Sequence, residues 1–482
     1  MRPGDLRDWL AAVEATGELR TIRGAHWRLE IGALCELDYR LPTPWALLFD
    51  DIPDHPAGWR VLAGACASPA RLGLTLRLGT EHSTLDLIQA LRGQFTRWAA
   101  RAAEFAPREV ADGPVLEHVY EGDAVDLTRF PAPLWHEGDG GRYLGTGGLL
   151  LTRDPETGWV NGGTYRMQLL GRNRLGLFAL TGKHARIHLD KYAALQEPCP
   201  VVVSLGHDPL FALLGGIEVP YGVSELAYAG AIAGEPVEVL RGPLTRLPLP
   251  ARAEIVAEGF VYPGDTAPEG PYGEFHGYYS AAEAPQPVIH VKRLLHRRDP
   301  ILLGSPPGRP PHDYSYWASL LRSAVVFDAL VEAGVPDVQA VWQHPCGGAR
   351  MLLVVSIRQR YPGHARQAGH VAAQCRGGAQ VGRYVIVVDE DIDPTDLEQV
   401  MWAVATRSDP LRDIDVIQRA WGSQVDPQFV TLPDGGLTNT RAIIDACRPW
   451  EFRDVFPPVV GASRELLARV RARWGTLLGL SE

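Results

Sequence analysis

Lysine is nearly missing from this chain of 482 residues: Lys183, Lys191 and Lys292 are the only three among 47 basic side chains, and the rest are arginine. Coding bias is the simplest account of that imbalance. The basic residues form no run or stripe and the net charge is −10, which argues against a nucleic-acid partner. Six cysteines are scattered at 35, 66, 199, 346, 375 and 447, with no Cys-x-x-Cys pair and no cluster with histidine. That excludes a zinc ribbon and gives no sign of a disulfide framework. No uncharged apolar run approaches membrane-spanning length, and the residues after Met1 lack the apolar core of a signal peptide. The expectation is a cytoplasmic protein with no membrane partner. There is also no repeat and no low-complexity segment. What is present is an ordinary globular composition, 46% hydrophobic and 22% charged. The length suits roughly two to four domains with full cores.

Along the chain, Leu6, Trp9, Leu10 and Val13 fall at helical spacing before Gly17. A clearer stripe of Ile88, Leu91, Phe95, Trp98, Ala102 and Phe105 predicts one helix that stops before Pro107. With apolar runs at 46–49 and 61–65 as strands, residues 1–112 read as a small α/β unit. From 113 to 304 the pattern changes to strand-like runs at 147–152, 201–205, 237–240 and 288–294 between Gly/Pro turns. Helical periodicity is scarce there apart from one short helix at 224–233, and the spacing suggests a β-barrel or sandwich. Residues 305–445 return to α/β texture: helices at about 315–333 and 363–375, strands at 338–342, 352–357 and 384–388. Asp393 followed by Pro394 predicts a cap and first helical position for a helix reaching about 405. The acids Asp389, Glu390, Asp391 and Asp393 invite a calcium site, but the glycine and closing glutamate of an EF-hand are missing, so turn and cap is the better role. The segment 446–482 carries a last helix with Leu467, Val470, Trp474 and Leu477 on one stripe. That stripe could pack on another subunit or on its own domain.

Chemistry concentrates in Pro268-Glu269-Gly270-Pro271-Tyr272-Gly273-Glu274-Phe275-His276-Gly277. The stretch is too rich in glycine and proline to be a helix interior. A loop of this kind can hold two acids at different depths, and burial then separates their pKa values, as general acid–base work requires. A surface turn with two solvated acids is the plainer alternative. Tyr272, Phe275 and Tyr278, interleaved with the acids, argue for partial burial. Three further clusters stand out: Asn161 to Arg166, Thr181-Gly182-Lys183-His184, and Ser224-Glu225. Taken singly, these would be a turn residue, a surface cation, a core histidine and an exposed acid.

Taken together they resemble the UbiD family of prenylated-flavin-dependent decarboxylases. The likeness rests on Asn161-x4-Arg166, Gly-x-His184, Ser224-Glu225, Pro-Glu269-Gly-Pro-Tyr-Gly-Glu274-x-His-Gly and Val387-Val-Asp-Glu-Asp-Ile-Asp393, and it extends from about Asp5 to the final helix. It implies an α+β chain in which 113–304 form a split β-barrel that binds prenylated FMN. The N-terminal α/β unit and a C-terminal α/β domain would flank it, and 446–482 would serve oligomerisation. It implies Arg166, Glu269 and Glu274 as the catalytic set, with Glu274 the proton donor and Arg166 bridging the acids. Asn161, His184 and Glu225 would hold Mn²⁺ (or Mg²⁺) against the flavin phosphate, with K⁺ a further ion. An amide oxygen, an imidazole and a carboxylate without thiolate suit those ions better than zinc. Arg383 stands where the family usually has lysine near the cofactor, which keeps charge but not shape. Lys183 falls at a pocket position and could meet a hydroxyl or second carboxylate, or point to water. Phe429 falls in a loop where relatives place an aromatic against the substrate. The implied activity is reversible, non-oxidative decarboxylation of an α,β-unsaturated or aromatic acid. The implied partners are that acid, a second copy of the chain, and the flavin prenyltransferase that makes the cofactor. A plain FMN oxidoreductase on a split barrel, or a flavin-binding subunit without catalysis, are the alternatives; the intact Arg/Glu/Glu set speaks against both.

Overall fold

Asp5 starts the first helix, Leu6–Ala15, by accepting from the backbone N–H groups of Arg7 and Asp8. Its buried face is Leu6, Trp9, Leu10 and Val13, as the spacing predicts. The computed structural model describes residues 4–216, 219–279, 282–431 and 436–479. Behind the first helix lies a four-stranded sheet in the order Leu19–Arg23, Ala46–Asp50, Arg60–Ala63, Ile301–Leu303. Its last strand comes from far along the chain and pairs in parallel with Arg60–Ala63. The N-terminal unit is therefore closed by a segment that follows the central sheet.

The single helix expected from 88 to 105 is a correction. The chain forms Thr84–Leu91 and Gln94–Arg101, then a 3-10 turn Ala102–Phe105. Gly93 makes the break: it takes φ +69°, a conformation open to glycine, and its N–H donates to Asp328 Oδ2 at 2.7 Å.

The central segment builds a nine-stranded antiparallel sheet. Its order runs Tyr143–Gly145, Arg166–Gly171, Arg174–Phe178, Ala284–His296, Ile255–Glu269, Cys199–Leu205, Leu149–Arg153, Val160–Gly163, with His118–Glu121 added beside Ala284–His296. The two end strands do not pair with each other, so the sheet is an open, curled half-barrel. The helix expected at 224–233 is present as Glu225–Ala233. Two more helices, His184–Leu195 and Pro209–Gly216, escaped the sequence reading. The first turns a polar residue, His188, onto its buried face; the second is short and apolar on every side, so neither shows a clean stripe.

The C-terminal segment follows its pattern closely, with helices Asp313–Glu332 and His364–Gln374 and strands Val338–Gln343, Leu352–Ile357 and Tyr384–Asp389 in a six-stranded sheet. The cap assignment at Asp393 is corrected. The helix Leu397–Arg407 is capped by Asp396, while Asp393 holds the preceding turn through Thr395 N–H and Oγ1. Asp389 and Asp391 are occupied by Arg407 and Arg448, an ion-pair network in place of a calcium site. The last helix, Arg464–Trp474, leaves Leu467, Val470 and Trp474 exposed, so its apolar stripe does not cover its own domain.

The helix Asp313–Glu332 ties the chain together. Trp317, Ala318, Leu320, Leu321 and Ala324 pack in the N-terminal core with Leu6, Trp9 and Leu62. One turn further on, Val326, Phe327 and Leu330 pack under the C-terminal sheet.

Candidate active site

Arg166 opens one strand and Glu269 ends another, the long Ile255–Glu269; Arg174–Phe178 and Ala284–His296 lie between them. That register brings residues 103 positions apart into contact. Arg166 Nε donates to Glu269 Oε1 at 2.9 Å and Nη2 to Oε2 at 3.0 Å, a two-point grip. Its remaining arm, Nη1, donates to Glu274 Oε1 at 2.7 Å. The guanidinium lies 3.7 Å over the ring of Phe178. All three residues of the expected catalytic set are thus joined by one cation.

The loop that carries Glu274 is pinned on several sides. Gly270 takes φ +89° and donates its N–H to Gln168 Oε1 at 2.9 Å. Glu274 N–H donates to Tyr278 O at 3.0 Å, and the carbonyl of Phe275 meets His312 Nε2 at 3.0 Å. Gly140 backs the loop so closely that a Cβ there would come within 1.9 Å of Gly270 O. Burial pushes the Glu274 carboxyl up to about 7; Arg166 pulls it down and Glu269 pushes it further up. Glu269 is deeper, 1% exposed, and also accepts from Tyr143 Oη at 2.8 Å.

A second cluster lies at the other end of the same cleft. Asn161 sits on the strand Val160–Gly163, and His184 and Glu225 are the first residues of their helices. His184 Nδ1 is 3.0 Å from Asn161 Oδ1, and Gly162 N–H donates to Glu225 Oε2 at 2.6 Å. Burial drives the Glu225 carboxyl up to about 8, and the buried Asn161 Nδ2 has no hydrogen-bond partner. A buried acid beside an amide and an imidazole is a donor set that a divalent cation would satisfy. Among the described residues no three of His, Cys, Asp or Glu group together at metal-ligand distances; the third donor here is an amide.

Two adjoining cavities, about 320 and 610 Å³, share Tyr165, Leu180, Lys183, Gly215, Arg350 and Gln380 as common wall. The first holds Arg166 and Glu274, the second Asn161, His184 and Glu225. Lys183 therefore stands at the junction. Arg383 lines neither cavity: its guanidinium is held by Asp426 at 2.6 and 2.8 Å, with Gln428 beside it. Phe429 lines neither cavity and is 38% exposed; Ser423 and Val425, just before it, do reach the cleft.

Several residues at the site were not found from sequence. Arg350 donates to Gln380 Oε1 at 3.1 Å and Tyr314 Oη at 3.3 Å in the cleft wall. Trp159 sets its ring 5.1 Å from that of His184, with Tyr221 5.3 Å from the same imidazole. Tyr143 lies behind Glu269. Isolated aromatics and one arginine in a glycine loop carry no spacing signal; Trp159, two residues before Asn161, was the one within reach of a motif.

Known proteins resemble this chain in sequence and in fold. Residues 10–91, 108–310 and 315–446 match the N-terminal, Rift-related and C-terminal domains of the UbiD family, described as 3-octaprenyl-4-hydroxybenzoate carboxy-lyase. The pyrrole-2-carboxylic acid decarboxylase of Pseudomonas aeruginosa is 36% identical over 493 residues, covering 98% of this chain and 95% of that one. The UbiD-class enzyme HmfF from Pelotomaculum thermopropionicum, solved with FMN, superposes with a TM-score of 0.83 at 29% identity, covering 96% of this chain and 99% of that one. An evolved dimeric form of HmfF, solved with prFMN, gives 0.78 at 28% identity, covering 95% and 97% of the two chains. The open form of Sedimentibacter hydroxybenzoicus vanillic acid decarboxylase gives 0.80 at 28% identity, covering 99% and 100%. A likeness that spans all three segments, at this identity and coverage, makes the chain a member of the UbiD family of carboxy-lyases.

Proposed function

We propose that this chain catalyses the reversible, non-oxidative decarboxylation of an aromatic or α,β-unsaturated carboxylic acid, with prenylated FMN in the joined cleft. The observation that carries the reading is Glu274: a carboxyl on the cavity wall, held near neutrality by burial and bonded to an arginine that already grips a second acid. The decarboxylase relatives, and the flavin bound by HmfF, support the same conclusion.

Asn161, His184 and Glu225 would hold Mn²⁺ or Mg²⁺ against the flavin phosphate, with K⁺ as a further ion; the amide oxygen beside the imidazole and the buried acid fit that task. When bound, the prenylated flavin supplies the electron acceptor that loss of carbon dioxide from an sp² carbon requires and that side chains lack. The protein's own part is position and proton. Arg166 fixes Glu274 and offers its charge to an incoming carboxylate. Glu274 in its acid form gives its proton to the carbon that has lost carbon dioxide, and in its ionised form takes one back in the carboxylation direction. Phe178, Tyr272 and Phe275 wall the cavity on that side and keep water from competing. Arg383, its charge already matched by Asp426, is left out of the cofactor site. The open central sheet over 113–304 would be the split-barrel flavin domain, a division that the family matches at 10–91, 108–310 and 315–446 support. The exposed stripe of the last helix supports self-association through 446–482.

The test is carbon dioxide release from the flavin-loaded protein with a panel led by pyrrole-2-carboxylate, vanillate and 3,4-dihydroxybenzoate. Intact mass and absorbance of the bound cofactor are read in parallel. Release from at least one acid, lost in Glu274→Gln with flavin retained, is expected. Full cofactor loading with no release from any acid overturns the reading.

A further inference from the structure

The Arg166–Glu269 pair is supported from behind by a residue outside the cleft. Tyr143, on the end strand of the central sheet, is 0% exposed, and its ring centroid lies 4.1 Å from that of Tyr272. Its hydroxyl donates at 2.8 Å to Glu269 Oε1, the same oxygen that receives Arg166 Nε at 2.9 Å. The four groups therefore form a line: hydroxyl, carboxylate, guanidinium, carboxylate. Burial, with Glu269 adjacent, holds the Tyr143 phenol well above its ordinary range, so it stays a donor at any working pH. Tyr272 provides an internal contrast, since it is 4% exposed and its hydroxyl has no partner.

We propose that Tyr143 is a positioning residue that sets the proton affinity of Glu274 through Glu269 and Arg166. The inference rests on the reading of Glu274 as proton donor. Its physics is that of a shared charge. The Tyr143 hydroxyl draws negative charge toward itself on Glu269 Oε1, which leaves more of the Arg166 field to act on Glu274. Remove that donor, and Glu269 neutralises the guanidinium more fully, so Glu274 keeps its proton to a higher pH. The other titratable groups around Glu274 are Tyr272 and His276 on its own loop, Asp139 behind Tyr272, His312 against the loop at Phe275 O, and Cys66, Tyr165, Lys183, Asp313, Tyr314 and Arg350 on the cavity walls. Among the described residues, the side chains that donate to the Glu269 carboxylate are Arg166 and Tyr143.

The experiment compares flavin-loaded parent, Tyr143→Phe and Tyr272→Phe, because both substitutions delete one hydroxyl from the same aromatic pair. A difference infrared titration, assigned by the band lost in Glu274→Gln, reads the protonation midpoint of Glu274. The pH dependence of kcat is followed alongside. Y143F is expected to raise the midpoint by roughly half a unit, with the alkaline limb of kcat moving by the same amount. Y272F should leave the midpoint in place, and flavin occupancy in Y143F should equal the parent's. Replacing Tyr143 by a fluorinated tyrosine, a stronger donor with the same ring, should lower the midpoint, and it keeps the test available if Y143F folds poorly. Coincident titrations of parent and Y143F, or an equal shift in Y272F, overturn the proposal. Because the infrared midpoint needs no turnover, absence of carbon dioxide release would count against the decarboxylase reading and leave this test standing.

Discussion

Glu269 and Glu274 are the same side chain five positions apart, and they differ through what each touches. Glu269 is gripped at two points by Arg166, whereas Glu274 receives one arm of that arginine and feels burial more than attraction. With its carboxyl at about 7 in the fold and 4.5 as reference, Glu274 retains a proton that the unfolded chain has released. The contribution to stability is fully present below the unfolded value and is lost as pH rises through about 7. In catalysis the sign is plain: the acid form is the donor. Decarboxylation kcat should be level below about 7 and fall about tenfold per unit above it, while Glu274→Gln should cost at least about 10³-fold with flavin still bound. A steady-state pH profile checks the first, and single-turnover assays on loaded protein check the second. At the other end of the cleft, His184→Ala and Glu225→Ala should lose metal and flavin together. Metal analysis and flavin absorbance on the same samples read both losses.

At the scale of elements, the site depends on how closely backbones approach. A Cβ at position 140 would come within 1.9 Å of Gly270 O, so Gly140→Ala must push the loop that carries Glu274 away from Arg166. Activity should fall by about a hundredfold, the cost of an ångström-scale misplacement, with a fall in Tm of only a few degrees. Calorimetry and kinetics on one preparation separate the two. This dependence also explains what the sequence could and could not reveal. The loop itself was legible, because glycine, proline, aromatics and acids in one short stretch are an unusual mixture. The helices at Leu6–Ala15 and Asp313–Glu332 were legible from apolar spacing. Tyr143 was not, since its partnership with Glu269 exists only once two strands of Gly/Pro-punctuated sequence take up their register. The helix break at Gly93 was hidden for a related reason: an unbroken apolar stripe continues across it, and the kink is fixed by Asp328 from the far half of the chain.

At the scale of the molecule, the last helix and the long helix Asp313–Glu332 have opposite surroundings. Leu467 and Trp474 are 56% and 46% exposed, so Leu467→Asp with Trp474→Asp should change the stability of a single chain by no more than about 0.5 kcal/mol. If 446–482 joins two copies, the same pair should lower the mass seen by sedimentation or light scattering. Among the described residues no helix is long and apolar enough to cross a membrane. The long helix is buried on both flanks: its first half is rooted with Trp9 and Leu62, its second half beneath Val341 and Leu353. A rod rooted at both ends behaves as a strut. The C-terminal sheet cannot lift straight off the cleft without drawing one anchor out of a packed interior. Arg350 and Gln380, which lie beyond that strut, are thereby held at a set distance from the wall that carries Arg166.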